Sequence, residues 1–297
     1  MHIALATCAE VPDWEVDDAP LHAALAARGA TVHRPVWDDP TVDWAHFDAC
    51  LIRTTWDYVP KIEAFLAWAE RAGRATRLWH DAAVVRWNTH KGYLRDLESR
   101  GIAITPTAWL APGTAPDLGA LCAQNGFERA FVKPAVGATS SGTLRFAAQG
   151  AELESAQRHV ATLLRRGEAL LQPYVATVES AGELSVIVLD GAITHAVRKR
   201  PVPGDYRVQD DFGASDERET PSAAVAGLAL EVVAAAAECL DRRADALLYA
   251  RVDFLDGPDG ELWLNELELI EPSLFFRHGP GAAATLADAL LARTPPP

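Results

Sequence analysis

Two apolar segments near the end of the 297-residue chain carry carboxylates at spacings typical of neighbouring strands. The first segment places Asp253 among leucine, valine and phenylalanine residues, as in a buried strand. Residues 257–260 (Gly-Pro-Asp-Gly) predict a tight turn, and 261–268 predicts the second strand of a hairpin. Side chains two apart in a strand share a face, so Glu266 and Glu268 are expected to face Asp253 across this hairpin.

Three carboxylates on an apolar ribbon repel one another and resist burial unless a cation neutralises them. Ligation by oxygen atoms alone suits Mg²⁺ or Mn²⁺. Asp253, Glu266 and Glu268 are therefore candidate metal ligands. The alternative is an acidic hairpin edge that is simply exposed to solvent.

Composition narrows the class of protein. A hydrophobic content of 49% with 23% charged residues is typical of a globular protein, and the length allows two or three packed units. The net charge of -14 argues against nucleic acid or an anionic membrane as partner. The four cysteines are widely spaced, and no apolar run approaches the roughly 18 residues of a membrane span. We expect a cytoplasmic protein, and a homo-oligomer is compatible with the sequence.

Residues 1–85 alternate predicted strands and helices, which favours an α/β unit. The predicted strands are 3–7, 31–37 and 49–53, and the predicted helices are 19–28 and 62–72. A polar and aromatic cluster follows the third strand, at the end where open parallel sheets bind ligands. These candidate substrate residues are Arg53, Thr54, Thr55, Trp56 and Asp57. The other interpretation is a loop anchored by a tryptophan.

A second unit is predicted over 86–170, beginning with a helix that Asn88 or Thr89 would cap. Strands at 130–134 and 144–146 flank a loop rich in glycine, serine and threonine. The free N–H groups and hydroxyls of such a flap can wrap phosphate oxygens, and Lys133 supplies a nearby positive charge. Most loops of this composition are plain turns, so this signal alone is weak.

The third unit is predicted over 171–297. Glu183 begins an apolar strand, and Lys199 belongs to a basic run just upstream of the acidic hairpin. A basic run is usually a solvated face, although here it precedes a glycine-containing loop that suits phosphate contacts. The alanine-rich segment 221–240 predicts a helix packed in the core.

Taken together, these motifs resemble the ATP-grasp carboxylate-amine ligases, of the type of D-alanine:D-alanine ligase and prokaryotic glutathione synthetase. That family has an α/β fold, α+β in the ATP-binding part, in which two lobes hold ATP between antiparallel sheets. Its acidic motif is an Asp on one strand and Glu-x-Asn on the next. Asp253 and Glu266 match this motif, and Glu268 stands in place of the Asn. The substitution keeps an oxygen ligand and adds negative charge.

The resemblance implies roles for individual residues. The ATP-binding residues would be Lys91 and Lys133 at the phosphates, Gly137, Thr139, Ser140, Ser141 and Gly142 in the lid, Gln172, Tyr174 and Val175 at the adenine, Glu183 at the ribose, and Lys199 of the basic run. Arg251 resembles the arginine that steadies the transferred phosphoryl group, and Arg207 resembles one near the acyl phosphate.

The implied activity is ATP-dependent amide formation through an acyl phosphate, with Mg²⁺ or Mn²⁺. The 53–57 cluster and Ser273 suit a small amino-acid-like substrate with both a carboxylate and an amine. The short length and the acidic ending resemble the D-cycloserine synthetase branch, which predicts cyclisation of an O-substituted D-serine. The alternatives are an ATP-dependent small-molecule kinase on the same fold and a non-catalytic nucleotide-binding protein.

Overall fold

The computed structural model describes residues 1–11, 16–138, 140–208 and 212–294. The strands are β1 (His2–Thr7), β2 (Thr31–His33), β3 (Ala49–Thr54), β4 (Arg77–Trp79), β5 (Ala108–Leu110), β6 (Arg129–Pro134), β7 (Leu144–Ala147), β8 (Ala169–Pro173), β9 (Glu183–Leu189), β10 (Ala192–Arg200), β11 (Ser215–Glu219), β12 (Tyr249–Asp256) and β13 (Leu262–Glu268). The α-helices are α1 (Ala19–Ala27), α2 (Ile62–Ala75), α3 (Ala82–Asn88), α4 (Tyr93–Glu98), α5 (Leu118–Asn125), α6 (Gly150–Leu163), α7 (Val178–Ala181), α8 (Ala223–Cys239) and α9 (Ala282–Arg293).

The first sheet is parallel, with strand order β2-β1-β3-β4. Helix α2 covers one face, where Phe65 and Trp68 pack with Trp37 in a core that includes Ala4 and Cys50. Helices α1 and α9 pack against each other over the opposite face. The predicted α/β character of this part of the chain is confirmed.

The second sheet is antiparallel, with strand order β5-β8-β6-β7. Helices α5 and α6 cover one face and share a core with it. The sequence sets both ends of α5, because the Asp117 side chain accepts a hydrogen bond from Ala120 N, and Gly126 follows at φ 70°. The opposite face of this sheet is left for the cavity described below.

The third sheet is antiparallel, with strand order β11-β10-β9-β12-β13. Its central strand β9 is buried along its whole length, because α8 packs on one face and the core shared with α9 lies on the other. The turn after β12 closes as predicted, with Gly257 N donating to Glu261 O at 2.7 Å and Gly260 at φ 80°.

Two expectations about the chain's organisation need comment. The prediction that Asn88 or Thr89 caps a helix is wrong, since Asn88 is the last residue of α3 and the next helix, α4, begins at Tyr93 after Gly92. The proposed units 1–85, 86–170 and 171–297 stay a prediction, and the second boundary falls within β8. In the part of the chain that the structure describes, no helix is both long and apolar enough to cross a lipid bilayer.

Candidate active site

A cavity of about 350 Å³ lies between the second and third sheets. Its walls come from β6 and β8 on one side and from β9, β10, β12 and β13 on the other. The segments 88–93, 137–143 and 268–275 also contribute. The cavity brings together most of the predicted site residues, which are Lys91, Lys133, Gly137, Ser140, Ser141, Gln172, Val175, Glu183, Lys199, Arg207, Arg251, Asp253, Glu266, Glu268, Trp56 and Ser273.

The hairpin has the register that the spacing of its carboxylates predicts. Asp253 pairs with Glu266 and Arg251 pairs with Glu268, so the four side chains lie on one face. The register shifts after Asp253, and Asn265 is the extra residue of a β-bulge. The bulge brings Asn265 to the cavity wall beside Glu266, although adjacent residues of a regular strand face opposite sides.

Arg251 lies between two of the carboxylates. Its Nε and Nη2 donate to Asp253 Oδ2 at 3.1 and 3.0 Å, and Nη2 also donates to Glu268 Oε1 at 2.5 Å. Ser185 Oγ donates to the other oxygen of Asp253 at 2.6 Å. Burial opposes ionisation of Asp253, but Arg251 and Lys199 outweigh it and lower the pKa of this carboxyl group. Asp253 is thus held as a carboxylate with 1% exposure.

Lys199 and Glu183 form a buried ion pair at the next two strands. Lys199 Nζ donates to Glu183 Oε1 and lies 3.4 Å from Asp253 Oδ2. Asn265 Nδ2 donates to the second Glu183 oxygen at 2.6 Å. Gly182 makes the pairing of β9 with β10 possible, because a Cβ there would lie 2.2 Å from Lys199 O and its φ is 76°.

Lys91 and Lys133 enter the cavity from different elements and meet at Glu266. Lys91 Nζ donates to Glu266 Oε1 at 2.6 Å, and Lys133 Nζ lies 3.9 Å from the same oxygen. Burial lowers the pKa of Lys133 to about 8, and the neighbouring charge of Lys91 contributes to this lowering. The pKa of Lys91 is raised instead, because Glu266 outweighs the effect of its burial.

Negative charge is in excess beyond Arg251. Burial, with the charges of Asp253 and Glu266, raises the pKa of Glu268 to about 7 although Arg251 opposes the shift. Burial and the charge of Glu268 raise the pKa of Glu271 to about 8. This side of the cavity therefore favours a positively charged ligand.

A divalent cation fits this donor set. The described lining residues include five carboxylates and five cationic side chains, so the phosphates of a nucleotide would need added positive charge. Asp253, Glu266 and Glu268 do not have one oxygen each within 4.8 Å of the others in this structure. Mg²⁺ does not require such convergence, because it normally takes one or two protein carboxylates and completes its shell with water and phosphate oxygens.

The small-residue loop between β6 and β7 forms part of the wall. Ser141 N donates to Ala138 O, Thr143 N donates to Ser140 O, and Ser140 has a φ of 58°. Gly142, at φ 72°, is not at the wall. Thr139 lies outside the described residues.

Comparison with known proteins identifies the family of this chain. Residues 3–80 match the family model described as D-cycloserine synthetase DcsG, N-terminal domain. The whole chain is 35% identical over 303 residues to the cycloserine biosynthesis protein DcsG of Streptomyces lavendulae, with 99% of each chain covered. This chain belongs to the D-cycloserine synthetase family.

Solved structures agree with membership of the D-cycloserine synthetase family. The crystal structure of D-cycloserine synthetase DcsG matches at a TM-score of 0.88 and 33% identity, covering 99% of this chain and 100% of that one. D-alanine–D-alanine ligase from Bacillus anthracis complexed with ATP matches at 0.67 and 16% identity, covering 99% and 97%. The ATP-grasp ligase PsnB matches at 0.65 and 17% identity, covering 99% of each chain. The predicted ATP-grasp fold is confirmed, and the chain is an ATP-dependent amide-forming ligase.

Most of the predicted substrate cluster is turned away from the cavity of this D-cycloserine synthetase relative. Arg53 binds Asp18 and the backbone oxygen of Pro272 inside the protein, and Thr54 bonds to Thr7. Among the described residues, the Oγ1 of the fully buried Thr55 and the Nη1 of Arg53 have no hydrogen-bond partner, and neither residue is at the cavity wall.

Two more predicted residues are held elsewhere. Asp57 accepts hydrogen bonds from Trp37 Nε1 at 2.6 Å and Lys61 Nζ at 2.6 Å, so it links parts of the first unit. The Tyr174 ring packs against Phe131, and its hydroxyl donates to Glu179, which keeps the side chain off the wall. Trp56 is the member of the 53–57 cluster that reaches the cavity.

Arg207 lines the cavity but is occupied locally. Its Nε and Nη2 donate to Asp205 Oδ2 at 3.1 and 2.7 Å, and its guanidinium lies 3.8 Å from the centre of the Phe212 ring. Its role near the acyl phosphate stays a prediction.

Some wall residues also make contacts between segments that are far apart in the chain. Asn88 binds the backbone at the end of β13, where its side chain donates to Leu267 O at 2.9 Å and accepts from Leu269 N at 2.8 Å. Glu271 and Tyr58 approach each other from distant segments, and Trp56 Nε1 donates to Glu271 O at 3.2 Å. The strand patterns on either side give no signal of these pairings.

Proposed function

We propose that this ligase activates the carboxylate of a small amino-acid-like substrate with ATP and forms an amide through an acyl phosphate. One observation carries the proposal: Arg251 bridges Asp253 and Glu268 in the same cavity where Lys91 and Lys133 meet Glu266. Phosphoryl transfer requires little covalent chemistry from the protein itself. Catalysis consists mainly of alignment and of stabilising the charge that develops on the transferred group.

In this proposal ATP lies between the second and third sheets. Lys91 and Lys133 contact its phosphates, and the 137–142 loop covers them with backbone N–H groups and hydroxyls. Glu183, which accepts a hydrogen bond from Asn265, would also accept from the ribose hydroxyls. The strand end 172–175 borders the adenine.

The carboxylates of Asp253, Glu266 and Glu268 would hold Mg²⁺ or Mn²⁺ beside the phosphates. A bound divalent ion neutralises phosphate charge and orients the γ-phosphate for in-line attack. Phosphates arriving at Lys91 would compete with Glu266 for its ammonium group, which frees carboxylate oxygens for the metal. Arg251 would then contact the transferring phosphoryl group through its planar fork.

The chemistry balances in two steps. A substrate carboxylate oxygen attacks the γ-phosphorus, and the bond from that phosphorus to ADP breaks. The amine nitrogen then attacks the carbonyl carbon of the acyl phosphate, and a C–N bond forms as the C–O bond to phosphate breaks. Phosphate leaves with the substrate's own oxygen, and it can take up the proton that the nitrogen loses. Exclusion of water by the loop matters, because water would otherwise hydrolyse the acyl phosphate.

The substrate side of the cavity suits a molecule that carries an ammonium group. Burial raises the pKa of both Glu268 and Glu271, with the charges of Asp253 and Glu266 adding to it at Glu268 and the charge of Glu268 adding to it at Glu271. A substrate cation would relieve this repulsion. Trp56, Ser273 and Phe275 complete this wall. Given the activity in the relative's name, we propose an O-substituted D-serine whose oxygen-bound nitrogen attacks the activated carboxyl group and closes a five-membered ring.

The test is a screen of amino acids and O-substituted serines with ATP and Mg²⁺. Release of both ADP and free phosphate is measured, and the product is identified by mass. We expect an O-amino-D-serine derivative to give both products and to lose the mass of one water on cyclisation. ADP formation with phosphate retained on the product would instead identify a kinase.

Isotope labelling tests the intermediate separately. With substrate labelled with ¹⁸O in its carboxylate, the released phosphate should carry one labelled oxygen, because that oxygen bridges carbon and phosphorus in the acyl phosphate. Unlabelled phosphate alongside normal product would rule out the acyl-phosphate route, whatever the substrate.

A further inference from the structure

Three histidines meet at one corner of the first sheet, away from the cavity. His2 begins β1, His33 ends β2, and His46 lies in the 3-10 helix Trp44–His46, just before β3. Their ring centroids are 5.2 Å apart for His2 and His33, 4.6 Å for His2 and His46, and 5.6 Å for His33 and His46. The three residues are not part of the cavity wall.

The ring nitrogens are close to coordination distance. His2 Nδ1 and His33 Nε2 are 3.0 Å apart, and one nitrogen from each of the three rings lies within 4.8 Å of the others. Tetrahedral zinc with Zn–N bonds of about 2.0–2.1 Å places its ligand nitrogens about 3.3–3.4 Å apart. Small side-chain rotations would bring the third nitrogen to that separation. A metal ion would then replace the proton that His2 and His33 share.

Backbone hydrogen bonds and ring packing hold the segments from which the three histidine side chains project. His2 N donates to Asp48 Oδ2 at 2.7 Å, and Asp48 N donates to the His2 oxygen at 2.8 Å. The Phe47 ring packs against the rings of His33 and His46 at 5.2 and 5.6 Å. Three separate elements therefore present the imidazoles toward one point, and ordering them on metal binding costs little entropy.

The imidazole of His33 is also held in the neutral form that binds metals. Burial and the charges of His2 and His46 lower the pKa of His33. His2 and His33 are partly buried and His46 is exposed, which leaves an entry path for an ion and room for a water ligand.

We propose that His2, His33 and His46 bind one divalent transition-metal ion, with Zn²⁺ as the ion of choice and water completing the coordination. Imidazole nitrogen suits Zn²⁺, Ni²⁺ and Cu²⁺, whereas Mg²⁺ takes oxygen ligands. This site and the carboxylates of the cavity therefore select different ions, and the inference does not rest on the proposed ligase substrate.

The test is calorimetric titration of the full chain with ZnCl₂ in the absence of nucleotide and Mg²⁺. We expect a tight site with one Zn²⁺ per chain. Loss of an outer-shell partner alone weakens metal binding about tenfold or more. His33→Gln removes a ligand itself, so the zinc affinity should fall by more than that. His22→Gln, which removes a histidine from α1 outside the cluster, should retain it.

Zinc can also bind carboxylates, so Glu266→Gln is titrated in parallel. Its tight zinc site should be unchanged. Equal zinc affinity in wild type and His33→Gln, or loss of the site in Glu266→Gln alone, would overturn the proposal.

Cobalt gives an independent readout. Co²⁺ in a site of three imidazoles and water should give the intense visible bands of low coordination number, and these bands should be absent in His46→Gln. His46 is exposed, so this variant should fold even if His33→Gln does not, and unchanged ATP affinity would verify its fold. Absence of the bands in wild type, or their persistence in His46→Gln, would contradict a three-histidine site.

Discussion

Arg53 and Arg251 are two buried arginines in similar local settings. Arg53 is 2% exposed and Arg251 is 9% exposed, and each lies in a strand and donates from Nε and Nη2 to an aspartate. Their surroundings differ. Arg53 faces the single carboxylate of Asp18 and a backbone oxygen inside the protein. Arg251 lines the cavity and is shared by Asp253 and Glu268.

The difference lies in the balance of charge. One carboxylate neutralises Arg53, and the pair is closed to ligands. At Arg251 two carboxylates share one guanidinium, and burial, with the charges of Asp253 and Glu266, raises the pKa of Glu268 to about 7. This site can therefore still accept a cation. A buried arginine therefore indicates function only where its carboxylate partners remain in excess and in reach of a ligand.

The largest effect is expected at the closed pair. Arg53→Met leaves Asp18 buried and unpaired, which should lower the free energy of unfolding by about 3–5 kcal/mol. Denaturant unfolding measures this loss, and ATP affinity of the remaining folded protein should be unchanged. Arg28→Met, which breaks the exposed pair with Asp288, serves as the control and should have little effect. Full stability of Arg53→Met with lost ligase activity would return Arg53 to the active site.

The cavity arginine should respond in the opposite way. Arg251→Lys keeps the charge but loses the planar fork, so kcat should fall by about 10²–10³ with a much smaller change in ATP affinity. Arg198→Lys is the matched control, because Arg198 lies in the same sheet and pairs with Glu219 away from the cavity. Equal losses of kcat in the two variants would remove the special role of Arg251.

The comparison also shows what the sequence can and cannot predict. The spacing of two within a strand was enough to place Asp253, Glu266 and Glu268 on one face, because a strand fixes side-chain direction locally. The bulge that brings Asn265 to the wall has no such local signal. The family resemblance, rather than any periodicity, located Lys91 and Lys133.

Most of the 53–57 cluster lies away from the cavity for a different reason. It was expected in the site because it follows a parallel strand, but partners far along the chain decide where a side chain at a strand end points. Arg53 is taken by Asp18, 35 residues away, and Asp57 is taken by Trp37, 20 residues away. Asn88 likewise binds the backbone of β13, 179 residues away, instead of capping a helix.

His80 is a buried base that carries no charge, unlike the two buried arginines. His80 bridges Leu269 O and Leu248 N behind the hairpin, and burial lowers its pKa from 6.5 to about 4. Between pH 6.5 and 4, His80 is protonated in the unfolded chain but not in the folded chain. The free energy of unfolding therefore falls as the pH drops from 6.5 toward 4, by about 3 kcal/mol in total.

Denaturant unfolding at several pH values between 7 and 4 measures this loss. His80→Gln should flatten the dependence, whereas replacement of the half-buried His159 by Gln should leave it unchanged. A dependence of equal steepness in His80→Gln would show that other groups carry it.

The smallest effect is expected at Lys133, where one charge among several contacts the phosphates. Lys133→Met keeps the length of the side chain and should weaken ATP binding by about 1.5–3 kcal/mol, the value of a hydrogen bond to a charged group. Because the pKa of Lys133 is lowered to about 8, wild-type affinity should also decline as the pH rises past 8, and this decline should be absent in the variant. Calorimetric titration with ATP measures both.

Lys61→Met is the control from the other region, since Lys61 is exposed and pairs with Asp57 of the 53–57 cluster. Unchanged ATP affinity in Lys61→Met would keep that cluster outside the nucleotide site, and an equal loss in both variants would erase the distinction between the two regions.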